Sequence, residues 1–121
     1  MEFGGYLIST KILDADQCDI AEFIKNKDAF IEWFDLDKIS GQVVVRRRKD
    51  GDKFQPIGLG GEKKVGKFIT AKKIAGDLRE NLAIIADSEK ILWLCPVRAS
   101  EKTKVTDETK QILQILVRRA V

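Results

Sequence analysis

Histidine is absent from the 121 residues, and with it go the commonest general base, the Ser-His and Cys-His nucleophile pairs, and every histidine-containing metal site. Cysteine is scarce. Cys18 and Cys95 are too few and too far apart for a disulfide framework, and neither belongs to a C-x-x-C pair that would mark zinc or redox chemistry. Reduced thiols suit a cytoplasmic protein. No apolar run approaches the roughly 20 residues of a membrane span, and Met1 is followed by Glu2 rather than by a basic segment and an apolar signal region. The expectation is a cytoplasmic chain that engages no membrane. Its length fits one domain, 1–121, which buries roughly two-thirds of the surface its unfolded chain exposes and folds without staples.

What the chain does have is an uneven distribution of charge. The formal net charge is only +3. Residues 1–45 hold four Lys against nine Asp or Glu, net −5, whereas residues 46–79 hold eleven Lys or Arg against four acids, net +7. Residues 80–121 are nearly balanced, with seven basic and six acidic side chains. One central segment carries the positive field, as a polyanion-binding face would.

Hydrophobic periodicity predicts strands over Tyr6–Leu13, Phe30–Phe34, Gln42–Arg46, Ala83–Ala86, Lys90–Cys95 and Gln111–Val117. Asp87-Ser88-Glu89 is short enough to make two of them a hairpin. Asp16 is expected to cap a short helical segment containing Ile20, Phe23 and Ile24. Lys63–Lys73 reads as a helix with lysines on its open side, and a second short helix covers Gly76–Leu82. Strands, then helices, then strands indicate an α+β domain rather than alternating β-α-β units.

Within the positive segment, GEKKVGKF at 61–68 matches the G-x-x-x-x-G-K of a phosphate-binding loop, but Phe68 stands where a magnesium-binding hydroxyl is needed. The turn-rich PIGLG before it is no buried strand. Gly58, Gly60 and Gly61 then read as a loop with unusual backbone angles, and Lys63, Lys64, Lys67, Lys72 and Lys73 as a solvated helix face. A second basic cluster, Arg46-Arg47-Arg48-Lys49 with Lys53 beyond it, lies one short loop away, so the two can converge on one side and suit a phosphate backbone.

The run VRRRKDGDKFQPIGLGGEKKVGKFITAKKI, followed by Arg79, by ILW at 91–93, by Arg98-Ala99-Ser100-Glu101 and by Lys104-Val105-Thr106, resembles the C-terminal domain of bacterial tRNA(Ile)-lysidine synthetase. The resemblance covers residues 30–117 in one consistent order. In that family an N-terminal domain with an S-G-G-x-D-S loop uses ATP and Mg2+ to join lysine to the wobble cytidine of an isoleucine tRNA. No such motif occurs here. The C-terminal domain holds the tRNA, and resembles in fold a domain of the phenylalanyl-tRNA synthetase β-subunit, a β-sandwich-like set of layers with two or three short helices.

The resemblance therefore implies a chain with no catalytic residue and no cofactor of its own. Its implied partners are tRNA(Ile), gripped at the acceptor stem, and the catalytic domain of the same enzyme, with a homodimer also open. By position it assigns tRNA binding to Arg46, Lys63, Lys64, Lys73 and Arg79, to which the second basic cluster adds Arg48 and Lys53, and a structural turn to Gly51, Asp52, Phe54, Pro56 and Gly58, to which the glycine loop adds Gly61. The family tends to have Pro at the positions of Ala75 and Leu82, and Gly at that of Pro96.

Read on their own chemistry, Asp52 is a turn or capping residue, since no partner base can be named for it. Phe54 and Trp93 are core rather than stacking platforms, and Arg98 is free to pair with Glu101. Two other function classes fit the same residues: an enzyme with a degenerate phosphate loop, and a structural module that docks on an acidic partner protein.

Overall fold

Nine residues at each end of the chain pair with one another and set the frame. In the computed structural model, which describes residues 2–3 and 5–119, strand β2 (Tyr6–Asp14) lies antiparallel to the last strand from Tyr6↔Arg119 to Asp14↔Gln111. Met1, Gly4, Ala120 and Val121 of the expected domain lie outside the described residues. In chain order the elements are β1 (Glu2–Phe3), β2, α1 (Ile20–Asn26), β3 (Ile31–Asp35), β4 (Val44–Arg46), β5 (Lys53–Phe54) and β6 (Lys63–Lys64). There follow α2 (Val65–Ala71), α3 (Gly76–Glu80), β7 (Ala83–Ala86), β8 (Ile91–Cys95), β9 (Arg98–Ala99) and β10 (Gln111–Arg119).

These strands form a first sheet of order β1-β2-β10-β3, a second of order β4-β7-β8-β9, and a two-stranded ribbon β5-β6, with antiparallel pairing throughout. The expected α+β sandwich with short helices is the architecture found. No helix among the described residues is long and apolar enough to cross a membrane.

The layers follow from alternation in β7 and β8. Along β7, Ala83 and Ile85 face a core shared with Ile8, Phe34, Leu113, Ile115 and Val117 of the first sheet, while Ile84 and Ala86 face Val65, Phe68 and Ile69 of α2. Both faces of this strand are buried, so it is a continuous apolar run. In β8 the pairing steps from Ile85↔Trp93 to Ala86↔Ile91, leaving Leu92 unopposed. That bulge turns both Leu92 and Trp93 into the first core, with Ile91 and Leu94 in the second. Trp93 is 1% exposed and packs against Phe34 at 6.1 Å between ring centroids.

The Asp87-Ser88-Glu89 hairpin turn is as expected, and its chemistry is concentrated in Asp87. The buried carboxylate accepts from the backbone amides of Ser40, Glu89 and Lys90, each at 2.8 Å, and pairs with Lys90 Nζ at 2.7 Å. Burial would raise its pKa, but these donors hold it below the ordinary aspartate value of 3.8. One side chain thus ties the loop before β4 to the tip of the central hairpin.

Three boundaries differ from the periodic reading. Asp16 lies in a 3-10 turn, Ala15–Gln17, and the cap of α1 is Asp19, which accepts from the Glu22 amide at 3.0 Å. Asp19 stands three residues before Glu22, the spacing of a capping box. The lysine helix starts at Val65 rather than Lys63, because Lys63 and Lys64 are extended and paired with Phe54 and Lys53. Strand β4 is also shorter than predicted, beginning at Val44.

Gly41 has φ +73°, and a Cβ there would stand 2.8 Å from Ser88 Oγ, the hydroxyl that donates to Ser40 O. Gly41→Ala is therefore expected to lower stability by about 1–3 kcal/mol, combining left-handed strain with the clash. Urea unfolding checks this, and a variant as stable as the wild type would contradict it.

Candidate nucleic-acid interface

The basic loop between β4 and β5 is organised by one carboxylate. Residues 49–52 form a turn in which Asp52 N donates to Lys49 O at 3.2 Å and Gly51 adopts φ +88°. Asp52 Oδ1 accepts from Arg46 Nη2 at 2.9 Å, and Oδ2 accepts from Arg46 Nη1 at 3.0 Å and from the Lys49 amide at 2.6 Å. The Asp52 carbonyl accepts from Val65 N, the first residue of α2, at 2.9 Å. Burial alone would raise the Asp52 carboxyl, yet the Arg46 guanidinium and the Lys49 amide hold it below its ordinary 3.8. Asp52 is a turn residue, as its sequence context implied.

That loop forms one wall of an open groove of about 540 Å³. Arg48 and Lys49 stand on this wall with Asp50 and Asp52, Lys64 and Lys67 come from the end of β6 and from α2, and Thr70 lies beside them. The helix supplies its share by periodicity: Val65, Phe68 and Ile69 are buried, so Lys67, Thr70 and Ala71 face out. Arg48 reaches across the groove, with Nη1 3.5 Å from the place where a Cβ on Gly66 would stand. Lys53 lies directly opposite Lys64 in the ribbon. Like charges in register across a ribbon are destabilising, a cost that a bound anion would remove.

The two basic clusters predicted to converge do so, though with altered membership. Of the seven candidate binding residues, Arg48 and Lys64 line the groove. Lys53 and Lys63 are exposed on the adjoining ribbon, and Arg46 is engaged by Asp52 behind it. Lys73 and Arg79 lie outside the groove lining, at the turn from α2 to α3, where Arg79 donates to Ile74 O at 3.3 Å. Lys73 caps α2 with φ 53°; its amide donates to Thr70 O and that of Ile74 to Ile69 O, an arrangement in which glycine is the usual residue. Lys49 and Lys67, members of the two basic clusters but not of the seven candidates, also line the groove, as does Thr70, which follows Lys67 at i, i+3 on the same helix face.

The remaining expectations sort plainly. Gly58, Gly60 and Gly61 all have positive φ, at +83°, +59° and +142°. Pro56 is buried and bridges to Ser100. Phe54 is core, edge-on to Phe68 at 5.2 Å. Arg98 does not pair with Glu101: it donates to Ile57 O at 3.0 Å and lies 5.7 Å from the Phe68 ring centre, while Glu101 pairs with Lys104 and accepts from Gly58 N. The eight residues that resembled a phosphate loop are divided among a bend, a strand and a helix, with Phe68 in the core.

The profile of the B3/4 domain matches residues 29–116, the whole stretch from the start of β3 to the end of β10 bar a few residues. The chain belongs to the B3/4 domain family. This B3/4 domain is 39% identical over 104 residues to a tRNA(Ile)-lysidine synthase of Caldanaerobacter subterraneus, covering 86% of the chain and 21% of that protein. A tRNA(Ile)-lysidine synthase of Clostridium tetani is 36% identical over 119 residues, covering 97% of the chain and 26% of that protein. The chain thus spans about a quarter or less of the length of these curated relatives.

Among solved structures, the TILS C-terminal domain superposes with a TM-score of 0.74 at 20% identity, covering 97% of this chain and 86% of that one. An N-terminal fragment of the phenylalanyl-tRNA synthetase β-subunit from Pyrococcus horikoshii gives 0.63 at 26% identity, covering 75% and 28%. The fold implied by the sequence resemblance is the fold of this B3/4 domain.

The sign of the Asp52 shift makes the loop acid-sensitive. A depressed carboxyl contributes stability above its unfolded pKa and loses it as pH falls through the folded value, here below 3.8. Asp52→Asn is expected to cost about 1–3 kcal/mol at pH 7, and the gap to wild type should narrow by pH 3. Urea titrations at the two pH values check it; a gap that widens in acid would contradict the assignment.

Proposed function

We propose that this B3/4 domain is the tRNA-holding part of a tRNA(Ile)-lysidine synthase. The observation that carries the reading is the convergence of Arg48, Lys49, Lys64 and Lys67, from two separate basic segments, on one open groove. Four cations without an enclosed pocket suit a phosphate backbone better than a small molecule, because each neutralised phosphate releases condensed counterions. Contacts of this kind position a nucleic acid without reading its bases. Duplex RNA recognised by shape and 2′-hydroxyls, with the acceptor stem as the duplex concerned, fits such a surface.

The curated relatives supply the wider reading. They are tRNA(Ile)-lysidine synthases about four times longer than this chain. In the proposed arrangement a separate catalytic domain uses ATP and Mg2+ to join lysine to the wobble cytidine, and this domain keeps tRNA(Ile) in place. The domain itself contributes grip rather than chemistry, and it needs no cofactor to do so. Lys53 and Lys63 on the ribbon extend the positive field beyond the groove, and Lys73 and Arg79 extend it past α2.

Lys64→Glu with Lys67→Glu should weaken tRNA binding by tenfold or more, on the order of 1.4 kcal/mol, whereas the same reversals at exposed Lys102 and Lys110 should change it about twofold. Fluorescence anisotropy at fixed salt compares the two pairs. Equal losses would mean that net charge governs binding and would favour the protein-docking alternative. With about four phosphate contacts, the logarithm of affinity should fall against the logarithm of salt with a slope near −3 to −4, and an RNA duplex should bind better than a DNA duplex of the same sequence. A flat salt dependence would overturn the reading.

A further inference from the structure

Arg48 and Lys49 stand on a loop that has no regular structure between β4 and β5. Long cationic side chains on an unsupported loop spread over many positions, and a surface that must match phosphate spacing gains from holding them still. Arg46 is the last residue of β4, paired in register with Ile84 of the central sheet. Its guanidinium is occupied on the inside: Nη1 serves Asp52 and the Arg47 carbonyl at 3.1 Å, and Nη2 serves Asp52. Asp52 in turn holds the Lys49 amide and, through its carbonyl, the first turn of α2. The two walls of the groove thereby meet at Asp52, whose carboxylate orders the loop wall through Arg46 and Lys49 and whose carbonyl holds the start of α2.

We propose that Arg46 and Asp52 are positioning residues for RNA binding, so that Arg46 meets no phosphate and Asp52, although acidic, strengthens the grip. This inference rests on the tRNA-binding reading above. It reverses what simple charge counting expects at both positions. Removing a carboxylate beside a cationic groove should improve binding to a polyanion, and removing an arginine should harm it only by its charge. If the pair positions the wall, losing the carboxylate harms binding and replacing the arginine by lysine does too, since an ammonium cannot make the two-pronged contact.

Asp50 provides the matched control. It lies two residues from Asp52, lines the same groove and is exposed, so Asp50→Asn and Asp52→Asn change the net charge equally. The test is anisotropy of the wild type, D50N, D52N, R46K and the R46K/D52N double variant against one RNA duplex across a salt series, with thermal melts to confirm that each is folded. D52N and R46K should each bind about threefold to tenfold more weakly, the double variant no worse than either, and D50N up to about twofold more tightly than wild type.

The salt slope separates positioning from plain destabilisation. Loosening Arg48 and Lys49 removes contacts, so the slope of D52N should shrink by about 1–2, whereas a smaller folded fraction would leave the slope unchanged. D52N binding as tightly as D50N, or losing affinity with an unaltered slope, would overturn the proposal while leaving the RNA reading standing. Wild-type protein that binds no RNA would overturn the RNA reading and this one with it.

Discussion

A hairpin buried on both faces is the constraint on which everything else hangs. Strands β7 and β8 separate two cores, one closed by the first sheet and the other by α2, α3 and the ribbon. Polar positions on either face would leave groups without water or partners, so nearly every residue must be apolar. The bulge at Leu92 resolves a conflict within this rule. It lets consecutive residues, Leu92 and Trp93, serve the same core and puts the indole against Phe34.

From that hairpin the groove follows mechanically. Ile84, Ala86, Ile91 and Leu94 present the apolar bed on which Val65, Phe68 and Ile69 settle. Once those three are inward, Lys67 and Thr70 have no direction left but outward. Arg46 leaves the same sheet at its edge, and its pairing with Asp52 folds the basic loop back toward α2. Core packing therefore sets the orientation of one wall, and a single ion pair sets the other. The affinity of such a surface depends less on how many cations the chain contains than on which of them the scaffold keeps still.

Much of this was legible beforehand, and the exceptions share a cause. The strand over Lys90–Cys95 lies nearly at its predicted limits because every residue from Ile91 to Cys95 is buried, whereas Tyr6–Leu13, in which only Ile8 is buried, is held at its limits by pairing along its whole length with β10. The start of α2 differs from the periodic reading because Lys63 and Lys64 have no apolar signature, and only their pairing with Phe54 and Lys53 makes them strand. The family resemblance places Arg46 on the binding surface by matching its position, which carries no information about its partner. Nothing in a linear string shows that a carboxylate six residues on will claim it. Lys49 and Lys67 stand in the two basic clusters of the sequence but not among its seven candidate residues, since their outward direction depends on a turn and a helix phase. Fold was readable where it rests on hydrophobic pattern, and the site was obscure where it rests on which partner wins a side chain.

The pairing of the two terminal strands has a consequence for how the domain is made. Synthesis delivers β2 well before its long partner, which arrives after the other elements among the described residues, since Asp14 awaits Gln111. At about 5–20 residues per second the first sheet stays open for roughly 5–20 s, while the central hairpin and its helices are already available to assemble. During that interval Ile8 and the apolar face of β7 lack their cover. The nascent chain thus passes through a stage in which the groove-bearing layer can form before the layer that seals it, and β10 acts as the latch between them.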